Sequence, residues 1–411
     1  MSDSLFSSDF FVANRKALQQ RTQAGVPIVV TANGLMQRGA DSTYAFSQDA
    51  SFWYLTGLDE PDVTLVMAGD DEFLIVPIRE ANRETFDGSI DTQALADRSG
   101  VAKVVDEVTG WKRLDTILAK HGKVATPAAA PQYIQVHGMY ANPARARLID
   151  RIQQHVDETS IIDIRTDLAQ MRMIKQPVEL KALQTAIDIT SETLNNLLTK
   201  DNIKTYHREY ELEADIFRGF RSRGASGHSF EPIVAAGKSA CTLHNVSNNA
   251  QLTSGELLVC DVGAEYEHYA ADITRTVPIG TPTARQKAVY QAVAEVQQFA
   301  LTLLKPGAKL NDFEDKVAKR MGVQLKSLGL IKKATKETVR EFFPHATSHF
   351  LGLNVHDVGD YTKPLQPGVV ITCEPGIYIK NEAIGVRIED DVLITETGHK
   401  VLSASCRKGL S

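Results

Sequence analysis

Over the first 165 residues, short apolar runs bounded by turn-forming residues alternate with stretches of helical character. Pro27–Ala32 (PIVVTA), Val63–Ala68 (VTLVMA) and Phe73–Ile78 (FLIVPI) are bounded by Gly, Asp and Pro, the pattern of buried strands. The segment around Trp111 to Lys120 is predicted helical, and the Ala/Pro-rich run Thr126–Pro131 is predicted to be a loop. This half reads as an α/β domain with no evident catalytic cluster.

Asp163–Lys175 (DIRTDLAQMRMIK) marks the expected join, giving an N-terminal domain over 1–168 and a C-terminal domain over 169–411. Pro177 then stands where the first turn of a helix tolerates its missing N–H. Leu180, Leu183, Ile187, Leu194 and Leu197 follow at three- and four-residue spacings or their sums, the stripe of an amphipathic helix. A second helix is expected over Glu209–Arg221, after which strands and turns take over. The expected fold class is mixed α/β (α+β).

At 411 residues the chain is long for one domain and long enough to bury a large core without disulfides. A formal net charge of −6 argues against a nucleic-acid partner, which requires a basic surface. No stretch approaches the ~20 apolar residues that cross a bilayer, so no membrane partner is expected. Residues Met1–Arg21 lack the apolar run of a signal peptide. Cys241, Cys260, Cys373 and Cys406 lie far apart, with no C-x-x-C pair. They read as small buried thiols in a reducing compartment, and a cytoplasmic location is expected.

Five residues of the second half carry the chemistry: Asp261, Asp272, His349, Glu374 and Glu389. Asp261 follows the apolar run Leu257–Cys260, where a carboxylate must be paired, hydrogen-bonded or metal-bound. Asp272 sits in a segment that reads as the returning strand of a hairpin, with its turn near Gly263–Tyr266. His349 lies between His345 and His356 in HATSHFLGLNVHD. Glu374 closes the apolar run Val369–Cys373, just before a Pro375–Gly376 turn. Glu389 lies in VRIEDDVLI, where period-two alternation puts it on the same strand face as Arg387. Each has an ordinary reading as a cap, a surface charge or a structural histidine. Together they form four carboxylates and one imidazole, an oxygen-rich set suited to hard or borderline divalent ions. Two such ions and one hydroxide would leave the cluster at a net charge of about −1, whereas four bare carboxylates would repel one another.

These stretches resemble the aminopeptidase P/prolidase branch of the metallopeptidases with the pita-bread fold. The resemblance rests on CDVGAEYEHYAADITRT, HATSHFLGLNVHDVG, VVITCEPGIYI and GVRIEDDVLIT. It extends upstream to QDASFWYLTGLDEPD, similar to the N-terminal domain of aminopeptidase P, to MRMIKQPVELKAL, and to GKSACTLHNV with its His244. The resemblance implies an aminopeptidase P-like domain followed by a pita-bread catalytic domain. It implies two divalent ions, with Asp272 and Glu389 bridging them, Asp261 on one, and His349 with Glu374 on the other. Manganese is the expected metal, with cobalt and zinc also compatible. Glu374 would shuttle the proton, His356 and His244 would bind substrate and oxyanion, His345 would lie near the proline side, and Arg387 would hold the acidic cluster. The implied substrates are peptides with proline in second position, and the implied assembly is a homo-oligomer, a dimer or tetramer. The segment between Ile379 and Gly385 is shorter than in many relatives, which bears on substrate length. A prolidase restricted to dipeptides and a non-catalytic binding module on the same fold are the alternatives.

Overall fold

The computed structural model describes residues 4–128, 134 and 138–410. The chain divides into two compact units, Met1–Ala169 and Gln170–Ser411.

The first unit is built on a six-stranded sheet. Its spatial order is Val104–Asp106, Asp71–Val76, Thr64–Ala68, Ile28–Thr31, Val124–Thr126 and Ile161–Asp163. The three central strands pair antiparallel through their connections, and the outer pairings are parallel. Strand Asp71–Val76 ends before Pro77, which has no N–H to give a ladder. The expected strand over 73–78 therefore lies two residues earlier. The helix around Trp111 runs Glu107–His121; Asp106 caps its start by accepting from Thr109 N, and Gly122 ends it at φ +60°. Val29, Phe73, Leu114, Leu118 and Leu148 form the core between sheet and helices. The expected loop at Thr126–Pro131 needs correction at its start, because Thr126 is the last residue of a strand paired with Asp163. Residues 129–131 lie outside those described. A helix, Arg165–Met173, runs through the expected join.

The second unit begins with the helix Pro177–Leu197, which buries Leu183, Ile187 and Leu194. Its first turn is closed by Glu179, whose carboxylate accepts from Gln176 N at 2.9 Å. Just before it, Arg172 and Lys175 both contact the carboxylate of Asp357, Lys175 at 3.4 Å. All three side chains are buried, so the group is a closed ionic cluster in the interior. The second helix spans Glu209–Ser222.

Two antiparallel sheets carry the polar segments. One has the order Ile233–Ala236, Leu257–Val262, Ile273–Pro278; the other has Val370–Cys373, Asp390–Ile394, His399–Val401. Gly376–Ile379 pairs with Ile384–Arg387 beside them. Helices Ala284–Leu303 and Leu310–Ser327 cover these strands over an apolar core that includes Val293, Val317, Ile371 and Val392.

Two expectations about this region change. The hairpin turn after Asp261 is not at Gly263–Tyr266: a small inserted hairpin, Ala264–Tyr266 with Tyr269–Ala270, turns at Glu267 and His268, both at positive φ. VRIEDDVLI is not one strand. It breaks at Ile388–Glu389, so Arg387 pairs with Gly376 and Asp390 with Cys373 in different sheets. Glu389 occupies the bend instead of a strand face.

Gly263 makes this hairpin possible. A Cβ on it would lie 1.7 Å from the carbonyl oxygen of Ala271 and 2.5 Å from Ser229 Oγ. The oxygen is backbone, so nothing nearby can yield. Gly263→Ala is expected to destabilise the second unit by about 3 kcal/mol or more. A melting temperature within 2–3 °C of wild type, roughly 1 kcal/mol or less, would contradict this.

Candidate metal centre

Antiparallel pairing brings Ile233, Asp261 and Thr274 side by side across three strands. Asp272 stands just before the third strand, where its backbone N–H donates to Asp391 Oδ2 at 3.2 Å. The loop 347–350 runs beside Val370–Cys373: Thr372 N donates to the His349 carbonyl and Glu374 N to the Thr347 carbonyl. Glu314 fixes that loop from behind, accepting from Thr347 N at 2.9 Å and from its hydroxyl at 2.9 Å. Glu389 N donates to the Thr274 carbonyl, which turns its side chain toward Asp272. The two sheets and the loop thus deliver five side chains to one cavity of about 580 Å³.

All nine residues singled out in the sequence line that cavity: His244, Asp261, Asp272, His345, His349, His356, Glu374, Arg387 and Glu389. Ligand atoms of Asp272, His349 and Glu389 lie within 4.8 Å of one another. His349 Nε2 is 3.5 Å from Asp272 Oδ2 and 3.4 Å from Glu374 Oε1. Asp261 is 8% exposed, and Arg387 donates to its Oδ2 at 2.5 Å. Arg387 also donates from Nε to Thr274 Oγ1, whose hydroxyl donates to Glu389 Oε2 at 2.6 Å. The His349 and His356 rings sit 4.2 Å apart, centroid to centroid.

Two features fit a bound cation. Asp261 Oδ1, Asp272 Oδ1 and Glu389 Oε1 are buried with no hydrogen-bond donor, a costly condition for a carboxylate. The second concerns His349, whose Nδ1 lies 3.1 Å from the Phe350 carbonyl and therefore carries the proton. Nε2 then presents a lone pair to two carboxylates. Burial pushes the His349 pKa down to about 4, so a proton on Nε2 does not relieve the contact near neutral pH. Acceptors facing acceptors call for positive charge between them: a metal ion when one is bound, protons on the carboxylates when it is not.

The electrostatics agree. Burial raises Glu374 to about 8, with Arg387 opposing. Burial, then the neighbouring carboxylates, raise Asp272 and Glu389 well above the ordinary range. Without metal the native centre therefore holds protons that the unfolded chain releases near pH 4–5. Ionising these groups destabilises the fold, so the stability of metal-free protein falls as pH rises from about 4.5 through about 8. The chelated protein is expected to melt several degrees lower at pH 8.5 than at pH 6. The metal-loaded protein should show little change, and metal affinity should rise over the same range with proton release. A flat profile for the chelated protein would show that burial and neighbouring charge do not raise these carboxylates.

Sequence reasoning missed Tyr378 and Thr274. Tyr378 accepts from Arg387 at 2.8 Å and lies 2.9 Å from His345 Nε2, while His345 Nδ1 faces the Ala346 carbonyl at 2.7 Å. Burial holds His345 down at about 3, so its ring is neutral and accepts from the Tyr378 hydroxyl. Thr274 had a signal, standing two residues from Asp272; Tyr378, in an apolar run, had none.

Residues 181–396 match the family described as metallopeptidase family M24, and residues 11–127 match the aminopeptidase P N-terminal domain. The chain belongs to the aminopeptidase P family. It is thus a metal-dependent hydrolase, an N-terminal aminopeptidase P domain followed by a pita-bread catalytic domain. It is 33% identical to the Xaa-Pro aminopeptidase of Escherichia coli, over 97% of this chain and 95% of that protein. Against the Homo sapiens Xaa-Pro aminopeptidase 3 it is 33% identical, over 97% and 82%. Aminopeptidase P from E. coli with the inhibitor Pro-Leu superposes with a TM-score of 0.86 at 32% identity, over 99% of this chain and 97% of that one. The zinc-substituted E. coli enzyme in complex with product gives 0.87 at 31%, over the same shares.

Proposed function

We propose that this protein is an Xaa-Pro aminopeptidase that uses two divalent ions, manganese first among the candidates, to release the N-terminal residue from peptides with proline second. The observation that carries the metal chemistry is the His349 Nε2 lone pair set against Asp272 and Glu374, beside three unpartnered carboxylate oxygens. The names of the full-length relatives support the substrate class.

In this reading Asp261, Asp272, His349, Glu374 and Glu389 would hold the ions. When bound, the ions acidify water and polarise the scissile carbonyl. Glu374 takes the proton from the attacking water and returns it to the leaving nitrogen, from a position on the cavity wall 3.4 Å from His349 Nε2. His356 and His244, on the cavity wall, donate to the carbonyl oxygen as negative charge grows on it. Arg387 orients Asp261 through its hydrogen bond, and through Tyr378 fixes His345 on the proline side. An X–Pro bond lacks an N–H, so recognition falls to ring shape. A cytoplasmic dimer or tetramer is part of the same proposal.

The test is hydrolysis of X–Pro–Y, X–Ala–Y and X–Pro by the manganese-loaded protein. Cleavage of X–Pro–Y well above the other two is expected. Cleavage of the dipeptide alone would make the protein a prolidase, and loss of proline preference would remove the substrate assignment.

A further inference from the structure

Behind the metal centre lies a second cavity of about 390 Å³, between the end of helix Pro177–Leu197, the strand Ile273–Pro278 and the tail 406–410. Its apolar wall includes Leu198 and Val277. Its charged lining is Lys200, Arg275, Arg407 and Lys408, and none of its described lining residues is acidic. The volume lies in the range of small-molecule sites, and an apolar wall with one sign of charge selects an amphiphilic ligand of the opposite sign.

The cations are not equivalent. Arg275 is spent: it donates to the carbonyls of Thr274 (2.9 Å), Glu389 (2.5 Å), Cys406 (3.0 Å) and Arg407 (3.0 Å), and to Asp390 Oδ1 (2.9 Å). Lys408 pairs with Asp390 Oδ2, yet its side chain remains 35% exposed. Lys200 and Arg407 are exposed, and Arg407 donates to the Asn195 carbonyl at 3.0 Å. An anion entering the cavity therefore meets Lys200, Arg407 and the open side of Lys408.

Asp390 joins this cavity to the metal ligands. It is fully buried and receives Arg275, Lys408, Ser403 Oγ and Gln297 Nε2. The same Gln297 nitrogen faces the carbonyls of Cys373 (3.3 Å) and Ile388 (3.2 Å), the residues just before Glu374 and Glu389. A ligand that draws Lys408 away from Asp390 disturbs the backbone of both glutamates without touching the substrate cavity.

We propose that this cavity is a binding site for a small amphiphilic carboxylate, and that its occupation lowers turnover through Lys408 and Asp390. Binding does not depend on the aminopeptidase reading; only the effect on turnover does. Octanoate is the probe, titrated calorimetrically against the full chain, both metal-loaded and chelated. One-to-one binding in both states is expected, weakening with salt, with octylamine at least tenfold weaker. Leu198→Trp, which fills the cavity, and the exposed double change Lys200→Gln with Arg407→Gln should each weaken octanoate about tenfold. In turnover assays octanoate should lower kcat and leave KM unchanged. Binding seen only with metal present, or inhibition competitive with peptide, would place octanoate on the metal centre and overturn the site. Absence of binding at 10 mM, or equal binding to both altered proteins, would overturn it as well. If no peptide is cleaved at all, the substrate assignment fails while the calorimetry still decides the cavity.

Discussion

Glu374→Gln is expected to lower kcat by about 10²–10⁴-fold, with KM changed little and most of the metal retained. The amide keeps the shape of the side chain and one oxygen toward His349, now 3.4 Å from Oε1. It cannot carry a proton between water and leaving group. Glu374 suits that task by position: its carboxylate lines the cavity with the other ligands, 3.4 Å from His349 Nε2. Steady-state kinetics with metal content measured in parallel would check it. A kcat within a few-fold of wild type, with metal in place, would take the proton transfer away from Glu374.

Asp272→Asn is expected to remove most of the bound metal and to reduce activity by about 10³-fold or more. Asp272 has an unpartnered buried oxygen on one side and His349 Nε2 on the other, and its backbone is held independently by Asp391. The change therefore alters the ligand and leaves its position alone. An amide also turns N–H groups toward a cation. A second, opposite effect separates this from misfolding. The chelated variant should melt above the chelated wild type near neutral pH, because burying Asp272 requires a proton that the unfolded chain releases, and the amide needs none. Full metal content in the variant would show that Asp272 is not a ligand, and a lower melting temperature without metal would point to damage elsewhere.

The buried strands were legible because a run such as Leu257–Cys260 has few alternatives to an interior strand, and the acids placed against such runs stood out by their cost. The acids chosen on that ground share one cavity with His244, His345, His356 and Arg387, whose roles the family resemblance supplied. Connections were less legible. The turn at Glu267–His268 uses two non-glycine residues at positive φ, which no sequence cue marks, so it was placed too early. The bend at Ile388–Glu389 was hidden because an alternating pattern looks the same whether one strand or two carry it. Partners contributed from afar were invisible in principle. Tyr378, Glu314, Gln297 and Asp390 look like ordinary core or helix positions until the fold sets them beside the ligands.

The cluster of Arg172, Lys175 and Asp357 has a practical consequence for anyone cutting this chain. The stretch that matches the peptidase family starts at residue 181, beyond both cations. A fragment begun there would keep Asp357 in the interior with its counter-charges deleted. That carboxylate is the next residue after His356, so the fragment would loosen the cavity wall that His356 forms. A piece that keeps this cluster whole must begin upstream of Arg172.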